Sequence, residues 1–374
     1  MEKIKVLRIA FNDLGHGGIQ SRIMVVSEQL KDRIDQDVVV FSSSPAYYDE
    51  AFSKYGRIIR CPHYEGKNRL RAKLDYYVRY FRIKRNILLV LKEYGPYDVV
   101  HSHSFFEAAP CMAAAKKAGV PVRIAHSHNT AMPDRRPFPL RQINELYRRI
   151  YRRIIIKNAT ELVGCSQAAA DYLFGPGKGH PIHNSVDFSA FAPEHFPKKD
   201  WEELRLIHVG NFLPQKNQLF LLDVFAKLQK KLPDSKLILI GRPSDYLTKV
   251  QEKIAGLGLG EKVEILPHDT HIPTAMSRAD YFVFPSNFEG FGNVMLEAQA
   301  AGLHCFASTE VTKETNCGLA DYIPLELGAE CWADRIYEFY LANGTEKKKV
   351  DMSAFSEEAF AEKFWNLYRK SEKV

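Results

Sequence analysis

The chain has 374 residues and a net charge of +7, with 45% hydrophobic and 26% charged residues, a composition that excludes a disordered chain. No apolar run approaches the ~20 residues that span a bilayer, and the length favours two domains. The six cysteines form neither a CxxC pair nor a metal-ligand spacing. They indicate reduced thiols in a cytoplasmic protein, as does an N-terminus, MEKIKVLRIAF, without a signal peptide's apolar segment.

The net charge conceals a difference between the two halves of the chain. Residues 1–188 carry 30 Lys and Arg against 18 Asp and Glu, a net charge of +12. The remaining residues carry 22 basic against 27 acidic side chains, a net charge of −5. Halves of opposite sign favour two domains and indicate that an anionic partner binds nearer the first.

Short aliphatic runs alternate with longer helical patterns in the first half of the chain. The runs predict strands at 6–11, 37–41, 98–102, 122–127 and 161–166. The patterns between them predict helices at 19–31, 70–92, 105–118 and 140–157.

The alternation restarts near residue 200, which predicts a second unit of the same kind. Strands are expected at 204–210, 236–241, 263–267 and 281–285, and helices at 217–231, 245–256, 273–279 and 292–301. This order predicts an α/β fold with two Rossmann-like, doubly wound parallel sheets covered by helices on both faces. Residues 183–200 form the predicted linker. The predicted domains are 1–186, joined by a C-terminal helix at 355–374 that crosses back, and 187–354.

Ligands of doubly wound sheets bind where strands lead into helices, and the first such loop is rich in glycine. NDLGHGGIQSR (12–22) places Gly15, Gly17 and Gly18 ahead of a helix, where backbone amides can approach a phosphate. A tight turn would use the same glycines. The pattern is not the GxGxxG of dinucleotide-binding proteins, and no acidic residue closes the second strand, which disfavours NAD.

Two His-x-His pairs end the next predicted strands, in VHSHS (100–104) and AHSHN (125–129). Strand alternation places His126 and His128 on the same side. For any one of these histidines, a structural hydrogen bond is the simpler interpretation. No carboxylate or cysteine falls at a supporting spacing, so a zinc site is not expected.

Two loops of the second half carry charged residues at buried positions. HVGNFLPQKN (208–217) places Lys216 at the entrance of a helix, where the dipole disfavours a cation unless an anion binds. PSNFEGFGNVMLE (285–297) places Glu289 in a glycine loop and Glu297 within an otherwise apolar helix. A cap and a solvated glutamate would explain each one singly, but together they favour a ligand with hydroxyl groups.

These motifs resemble the retaining glycosyltransferases of family 4, which have the GT-B fold, over nearly the whole chain. The most specific part is E-G-F-G-x-x-x-x-E at 289–297, and GHGGIQ, IHNSVD (182–187) and VGNFLPQKN are similar to the family's other motifs. AHSHNT is similar to bacterial exopolysaccharide and capsule members. The resemblance implies two Rossmann-like domains that face each other across a cleft, with the nucleotide sugar on the second and the acceptor on the first.

The resemblance also implies a role for each matching residue. Glu289 would contact the donor sugar and Glu297 the ribose, while Lys216 would hold the pyrophosphate. His128 would lie beside the donor sugar as a catalytic residue with Glu289. The remaining implied donor-binding residues are Gly17, Gly18, Asn211, Gly290, Phe291, Gly292 and Asn293. Asn211 stands where the family has arginine, Ser185 where it has glycine, and GRPSD (241–245) where it has Gly-x-Gly-Pro.

The expected activity is therefore retaining transfer from a nucleotide-diphosphate sugar, with UDP as the favoured nucleotide, to a glycan or polyprenyl-linked saccharide in bacterial surface polysaccharide synthesis. Neither a metal nor a cofactor is expected, because a lysine and the dipoles of helix starts can supply the positive charge that a metal would otherwise bring to the diphosphate. Two alternatives remain open. A sugar-nucleotide epimerase of similar fold would need no acceptor, and a partner subunit would bind UDP without turnover.

Two basic segments in the first half, 67–95 and 140–157, combine an apolar helical stripe with many Lys and Arg residues. The stripes are expected to pack on the first sheet. The excess of positive charge predicts peripheral contact with the anionic inner face of the cell membrane, close to a lipid-linked acceptor. Nucleic acid is not expected, since no aromatic-interleaved motif accompanies the charge.

Overall fold

We describe the protein from a computed structural model. The structure describes residues 2–10, 12–61, 69–130, 138, 140–192, 195–196 and 199–373, with the backbone alone for 69–78, 140 and 373. Contacts divide the chain into two compact units. Unit 1 consists of Met1–Ser185 with Glu357–Val374, and unit 2 of Val186–Ser356.

Unit 1 contains a parallel sheet of seven strands in the order β3-β2-β1-β4-β5-β6-β7. Its strands are β1 Ile4–Ala10, β2 Ile34–Val40, β3 Gly56–Arg60, β4 Val99–Ser102, β5 Val122–Ser127, β6 Glu161–Gly164 and β7 His180–Pro181. Its helices within the first segment are α1 Gly18–Gln29, α2 Asp49–Phe52, α3 Arg69–Tyr94, α4 Ala108–Lys117, α5 Leu140–Asn158 and α6 Gln167–Phe174. Phe11, predicted to end the first strand, lies outside the described residues.

Unit 2 contains a parallel sheet of six strands in the order β10-β9-β8-β11-β12-β13. The strands are β8 Arg205–Val209, β9 Lys236–Ile240, β10 Val263–Leu266, β11 Tyr281–Phe284, β12 His304–Ser308 and β13 Ala320–Ile323. The helices are α7 Gln218–Gln229, α8 Asp245–Gly256, α9 Ile272–Ser277, α10 Asn293–Ala300 and α11 Gly328–Asn343. The strands β3, β7, β12 and β13 were not predicted, because they lack long aliphatic runs.

The last helix, α12 Glu357–Tyr368, belongs to unit 1, where it packs beside α1. Its Phe360, Phe364 and Tyr368 are buried in a cluster with residues of β1 and α1. A second cluster covers the other face of the same sheet. Burial on both faces explains why β1, with Val6, Leu7 and other apolar residues, reads as a nearly continuous apolar run.

Only part of the predicted apolar stripe of α5 packs on the core of unit 1, where Tyr147 and Ile154 contact the buried cluster. Ile143, Leu146 and Ile150 are 54%, 60% and 46% exposed, whereas Tyr151 and Ile155 are buried. The helix carries apolar residues on more than one face, and the neighbouring helices α4 and α6 cover only one of them. Among the described residues, no helix has the length and apolar character needed to cross a membrane.

Candidate functional site

The loops that follow β8 and β11 meet where the strand order of the unit 2 sheet reverses. These strands are neighbours, yet β9 and β10 lie to one side and β12 and β13 to the other. Such a switch point leaves a crevice at the carboxyl ends of the strands, which is the usual ligand site of doubly wound sheets. Of the charged residues predicted from sequence, Lys216 and Glu289 lie in these two loops, and Glu297 lies in the helix α10 that follows the second.

Three hydrogen bonds hold the two loops together. The backbone N–H of Asn287 donates to the carbonyl oxygen of Gln215 at 2.8 Å, and its side-chain Nδ2 donates to that of Pro214 at 2.8 Å. The Nε2 of Gln215 donates in return to the carbonyl oxygen of Phe288 at 2.9 Å. These contacts bring residues 216 and 289 together, and the sequence analysis did not identify Gln215 or Asn287.

Lys216 and Glu289 form an ion pair within this arrangement. The Nζ of Lys216 lies 2.7 Å from Oε1 of Glu289 and 4.9 Å from the centroid of the Phe284 ring. Their side chains are only 17% and 8% exposed. The lysine stem runs close to Gly210, where an added Cβ would lie 3.0 Å from Lys216 Cδ. The absence of a side chain at Gly210 therefore leaves room for Lys216.

The second of these loops turns into α10 through Gly292. This residue has a φ of +82°, a left-handed conformation that strains any residue with a Cβ. It caps α10, which begins at Asn293, so the loop reaches the helix by a turn that favours glycine. Phe291 is buried, and Glu297 is half-buried one turn into the helix, on the same side as Asn293.

Asn211, which replaces the family's arginine, is exposed and helps to hold the loop that contains Lys216. Its Oδ1 accepts a hydrogen bond from the backbone N–H of Arg242 at 3.4 Å. Its carbonyl oxygen accepts another from Nε2 of the buried Gln218 at 3.0 Å. Asn211 thus has a role within the loop, and its shorter side chain brings no charge to the site.

The glycine loop of unit 1 lies at the corresponding switch point, between β1 and β4. The N–H of Gly15 donates to Oδ1 of Asp13 at 2.8 Å, and Nε2 of Gln20 donates to the carbonyl oxygen of Asp13 at 3.1 Å. An added Cβ at Gly17 would lie 2.6 Å from Oε1 of Gln20. Asp13 and Gln20 therefore fix the loop that leads through Gly17 into Gly18, the first residue of α1.

The four histidines at the ends of β4 and β5 form one cluster. The Nε2 of His101 lies 3.2 Å from Nδ1 of His126, and Nδ1 of His103 lies 2.9 Å from Nε2 of His128. The rings of His126 and His128 have centroids 4.0 Å apart. The Nδ1 of His101 lies 2.8 Å from the hydroxyl oxygen of Tyr368, which the last helix contributes to unit 1. Tyr368 is a member that sequence reasoning missed.

Burial lowers the pKa of every histidine in this cluster. The pKa of His128 falls to about 3 because burial removes water from the imidazole. The pKa values of His101, His103 and His126 fall well below the usual value, first through burial and then through the neighbouring histidines and Arg8, which disfavour a further positive charge. All four rings are therefore neutral at physiological pH, and they act through hydrogen bonds.

Three of these rings, those of His101, His103 and His126, each place a nitrogen within 4.8 Å of the other two. Neutral imidazoles are suitable ligands for zinc. However, both nitrogens of His101 already have hydrogen-bonding partners, and the buried guanidinium of Arg8 lowers the pKa of all three rings. A second cation would be repelled there, so the surroundings do not fit a resident metal ion.

Comparison with known proteins identifies the class to which this fold and these sites belong. A family model described as Glycosyltransferase Family 4 matches residues 16–190, and one described as Glycosyl transferases group 1 matches residues 192–315. The putative glycosyltransferase EpsF of Bacillus subtilis is 30% identical over 89% of this chain and 86% of its own. The chain therefore belongs to the family 4 glycosyltransferases and has their GT-B type of fold.

Two further proteins extend the comparison. The capsular polysaccharide biosynthesis glycosyltransferase CapH of Staphylococcus aureus is 27% identical over 89% of this chain and 90% of its own. The crystal structure of Anabaena HepE in complex with UDP superimposes with a TM-score of 0.73, covering 99% of both chains at 16% identity. At this identity the structural match concerns the fold alone.

Proposed function

We propose that this protein is a retaining glycosyltransferase that moves a sugar from a UDP-sugar to a glycan or polyprenyl-linked saccharide during bacterial surface polysaccharide synthesis. The buried Lys216–Glu289 pair at the switch point of unit 2 carries the proposal. A diphosphate needs a cation, a sugar needs a hydrogen-bond acceptor for its hydroxyls, and this site offers both. The UDP bound by HepE and the capsular role of CapH support the donor and the pathway.

Each part of the donor has a matching group in this proposal. The ammonium of Lys216 binds the diphosphate, Glu289 accepts hydrogen bonds from the transferred sugar, and the half-buried Glu297 accepts those of the ribose. The start of α10 contributes backbone groups that favour an anion. These belong to the residues Gly290, Phe291, Gly292 and Asn293.

The proposed reaction is a displacement on one face of the sugar. The acceptor hydroxyl oxygen forms a bond to the anomeric carbon while the bond from that carbon to the β-phosphate oxygen breaks, and the acceptor proton passes to the departing phosphate. Lys216 and the helix amides stabilise the developing negative charge, so no metal is required. His128 is neutral, and its role is to hold a donor hydroxyl by a hydrogen bond.

Titration calorimetry with UDP tests the donor site. Lys216→Ala and Glu297→Ala should each weaken UDP binding roughly 10- to 100-fold, the loss of one buried polar contact. Glu289→Gln should keep UDP affinity and abolish transfer, since the diphosphate does not contact it. Lys253→Ala is a matched control, because Lys253 pairs with Asp223 on the surface of the same unit. Unchanged UDP affinity in both Lys216→Ala and Glu297→Ala would refute the assignment.

We further propose that α5 brings unit 1 to the anionic inner face of the cell membrane. The exposed Ile143, Leu146 and Ile150 follow one another at helical spacing, and the exposed Arg149 and Arg153 lie beside them. Apolar side chains with flanking arginines suit a helix that lies in a lipid interface. Within 67–95, residues 67 and 68 lie outside the described residues, and the side chains of residues 69–78 are not described.

Not every arginine of α5 is available to lipid. Arg152 donates from Nε to the carbonyl oxygen of Leu173 at 3.0 Å and from Nη2 to that of Tyr172 at 2.9 Å. It therefore stabilises the end of α6, where backbone carbonyls lack helical partners. Variants that test lipid binding should leave Arg152 unchanged.

Co-sedimentation with phosphatidylglycerol vesicles, and with phosphatidylcholine vesicles as a comparison, tests this contact. The wild type should sediment with the anionic vesicles at low salt. Arg149→Glu/Arg153→Glu should weaken binding by about 30-fold or more, at ~1 kcal/mol for each basic residue. Replacing the apolar residues at positions 143, 146 and 150 with serine should remove the part of vesicle binding that persists at high salt. Lys227→Glu/Lys231→Glu, in unit 2, is the matched control.

A wild type that does not bind anionic vesicles at low salt would contradict the proposal and favour a soluble acceptor or a protein partner.

A further inference from the structure

A group of aromatic rings lies on the surface of unit 1 next to its glycine loop. The ring of Tyr47 is 4.9 Å from that of His16 and 4.8 Å from that of Tyr48, in edge-to-face geometry with both. His16 and Tyr48 are nearly parallel to each other. Tyr47 is 68% exposed. We call these three residues the aromatic platform.

The loop that contains Tyr47 is held in place by the side chain of one arginine. Arg60 of β3 donates to the carbonyl oxygens of Ser42 at 3.1 Å and Ser44 at 2.8 Å, and it forms an ion pair with Asp49. Asp49 also accepts a hydrogen bond from the backbone N–H of Ala46 at 2.8 Å. The loop is therefore ordered around Tyr47, and a ligand that bound there would lose little affinity to ordering of the protein.

The same loop is joined to the glycine loop. The N–H of Phe41 donates to the carbonyl oxygen of Asn12 at 2.9 Å, and that of Tyr48 donates to Leu14 at 2.8 Å. The platform thus stands at the carboxyl edge of the sheet, after β1 and β2, where doubly wound units bind their ligands. A large aromatic ring that is fixed at this edge and left in water is placed to contact a ligand.

We propose that the aromatic platform is a saccharide-binding subsite that holds a pyranose ring of the acceptor. The face of an aromatic ring carries negative charge density, which attracts the axial C–H groups of a pyranose, while the sugar hydroxyls remain at the edge. The exposed Ser44, in the same loop as Tyr47, and the exposed Glu50, in the helix α2 that follows it, offer polar groups for those hydroxyls. A sugar with all ring hydrogens axial, such as a β-linked gluco-configured unit, fits this surface best. The inference rests on the proposed function only in requiring that the acceptor is a saccharide.

Saturation-transfer NMR with cellobiose and N,N′-diacetylchitobiose, in the absence of nucleotide, tests the subsite. The wild type should transfer saturation to H1, H3 and H5 of one ring, and it should leave sorbitol, an open-chain polyol without an apolar face, nearly unsaturated. Tyr47→Ala should weaken the binding of both disaccharides roughly tenfold, as expected for the loss of an aromatic contact. Tyr47→Phe and Tyr47→Trp should retain it. Phe81→Ala is the matched control, because Phe81 is an equally exposed aromatic residue of the same unit, on α3.

Three results would overturn the inference. They are the absence of saturation of both disaccharides by the wild type, equal saturation of sorbitol, and binding that Tyr47→Ala leaves unchanged or that Phe81→Ala reduces as much. UDP calorimetry on Tyr47→Ala separates this inference from the donor assignment, because UDP affinity should match that of the wild type. Failure of the wild type to bind UDP would contradict the proposed donor, but it would not change what the saccharide experiment shows about the aromatic platform.

Discussion

The carboxyl edges of the two sheets have the same topology and opposite chemistry. In unit 1, the ends of β4 and β5 carry four histidines whose pKa values burial lowers, so the group is neutral. In unit 2, the loops after β8 and β11 carry Lys216 and Glu289, which form an ion pair at 2.7 Å. The edge of the unit 1 sheet therefore offers neutral hydrogen-bonding groups. The edge of the unit 2 sheet offers a cation and an anion, each of which can bind a different part of a ligand.

The difference follows from how each group avoids the cost of burial. An ionised group removed from water needs either a counterion or a shift in pKa that makes it neutral. The histidines, beside the buried Arg8, are neutral because their pKa values are lowered. Lys216 and Glu289 instead serve as counterions for each other. A buried ion pair contributes little net stability compared with apolar residues, so its presence at a ligand site favours a binding role.

The largest expected effect comes from breaking the pair in unit 2. Lys216→Met leaves the Glu289 carboxylate buried without its cation and should lower the free energy of unfolding by about 3–5 kcal/mol. Lys216→Met/Glu289→Gln removes both charges and should recover most of that loss. Neither variant should transfer sugar. Urea unfolding, followed by hydrogen exchange in β8 and β11, measures the stability, and UDP release measures the activity.

Equal instability of the single and double variants would show that the charges do not balance each other. Lys231→Met is a matched control, because its pair with Asp334 is more exposed. Removing that exposed pair should leave the urea midpoint close to that of the wild type, because exposed ion pairs contribute little to stability.

The next effect concerns pH and should be larger in unit 1. Since the folded pKa of His128 is about 3, below the unfolded value near 6.5, the unfolded state binds more protons as the pH falls. The contribution of His128 to the free energy of unfolding is therefore complete above about pH 6.5 and declines towards pH 3. Between pH 7.5 and pH 5, this contribution should fall by about 2 kcal/mol. In unit 2, His208, whose pKa is lowered to about 4, acts in the same direction.

Hydrogen exchange at pH 7.5 and pH 5 can resolve this difference by region. Amides of β4 and β5 should lose more protection than those of β8, because His101, His103 and His126 add to the effect of His128. A His268→Gln variant serves as the control, since His268 is exposed and lies in unit 2, away from the cluster. Equal loss of protection in both units would contradict the comparison.

The smallest expected effect is that of removing divalent cations. In the proposed mechanism the charge of Lys216 and the amides of α10 serve where other enzymes use a metal, so transfer should be unchanged after dialysis against EDTA. Steady-state rates before dialysis, after it, and after restoring magnesium or zinc measure this. A reversible loss would direct attention to His101, His103 and His126, and their replacement by glutamine would then have to reproduce it.

Local patterns in the sequence were sufficient to predict much of this protein. Alternating aliphatic runs and helical periods predicted two doubly wound parallel sheets, because that order of elements leaves few alternatives. The spacing E-G-F-G-x-x-x-x-E at 289–297 predicted a loop and helix with two carboxylates near a ligand. Gly292 adopts a left-handed conformation, which favours glycine, and such a local turn can be expected from the neighbouring residues alone. The family itself was evident from these motifs.

The tertiary structure decided what depends on residues far apart in the chain. Lys216 meets Glu289 only because Gln215 and Asn287 bind the two loops together, and a single sequence does not show such a pairing. The face of α5 left exposed depended on which of its apolar faces the helices α4 and α6 covered, which periodicity does not reveal. Tyr368 reaches His101 because the last helix returns to unit 1. Contacts of this kind arise from packing, so their partners become apparent only when the chain is folded.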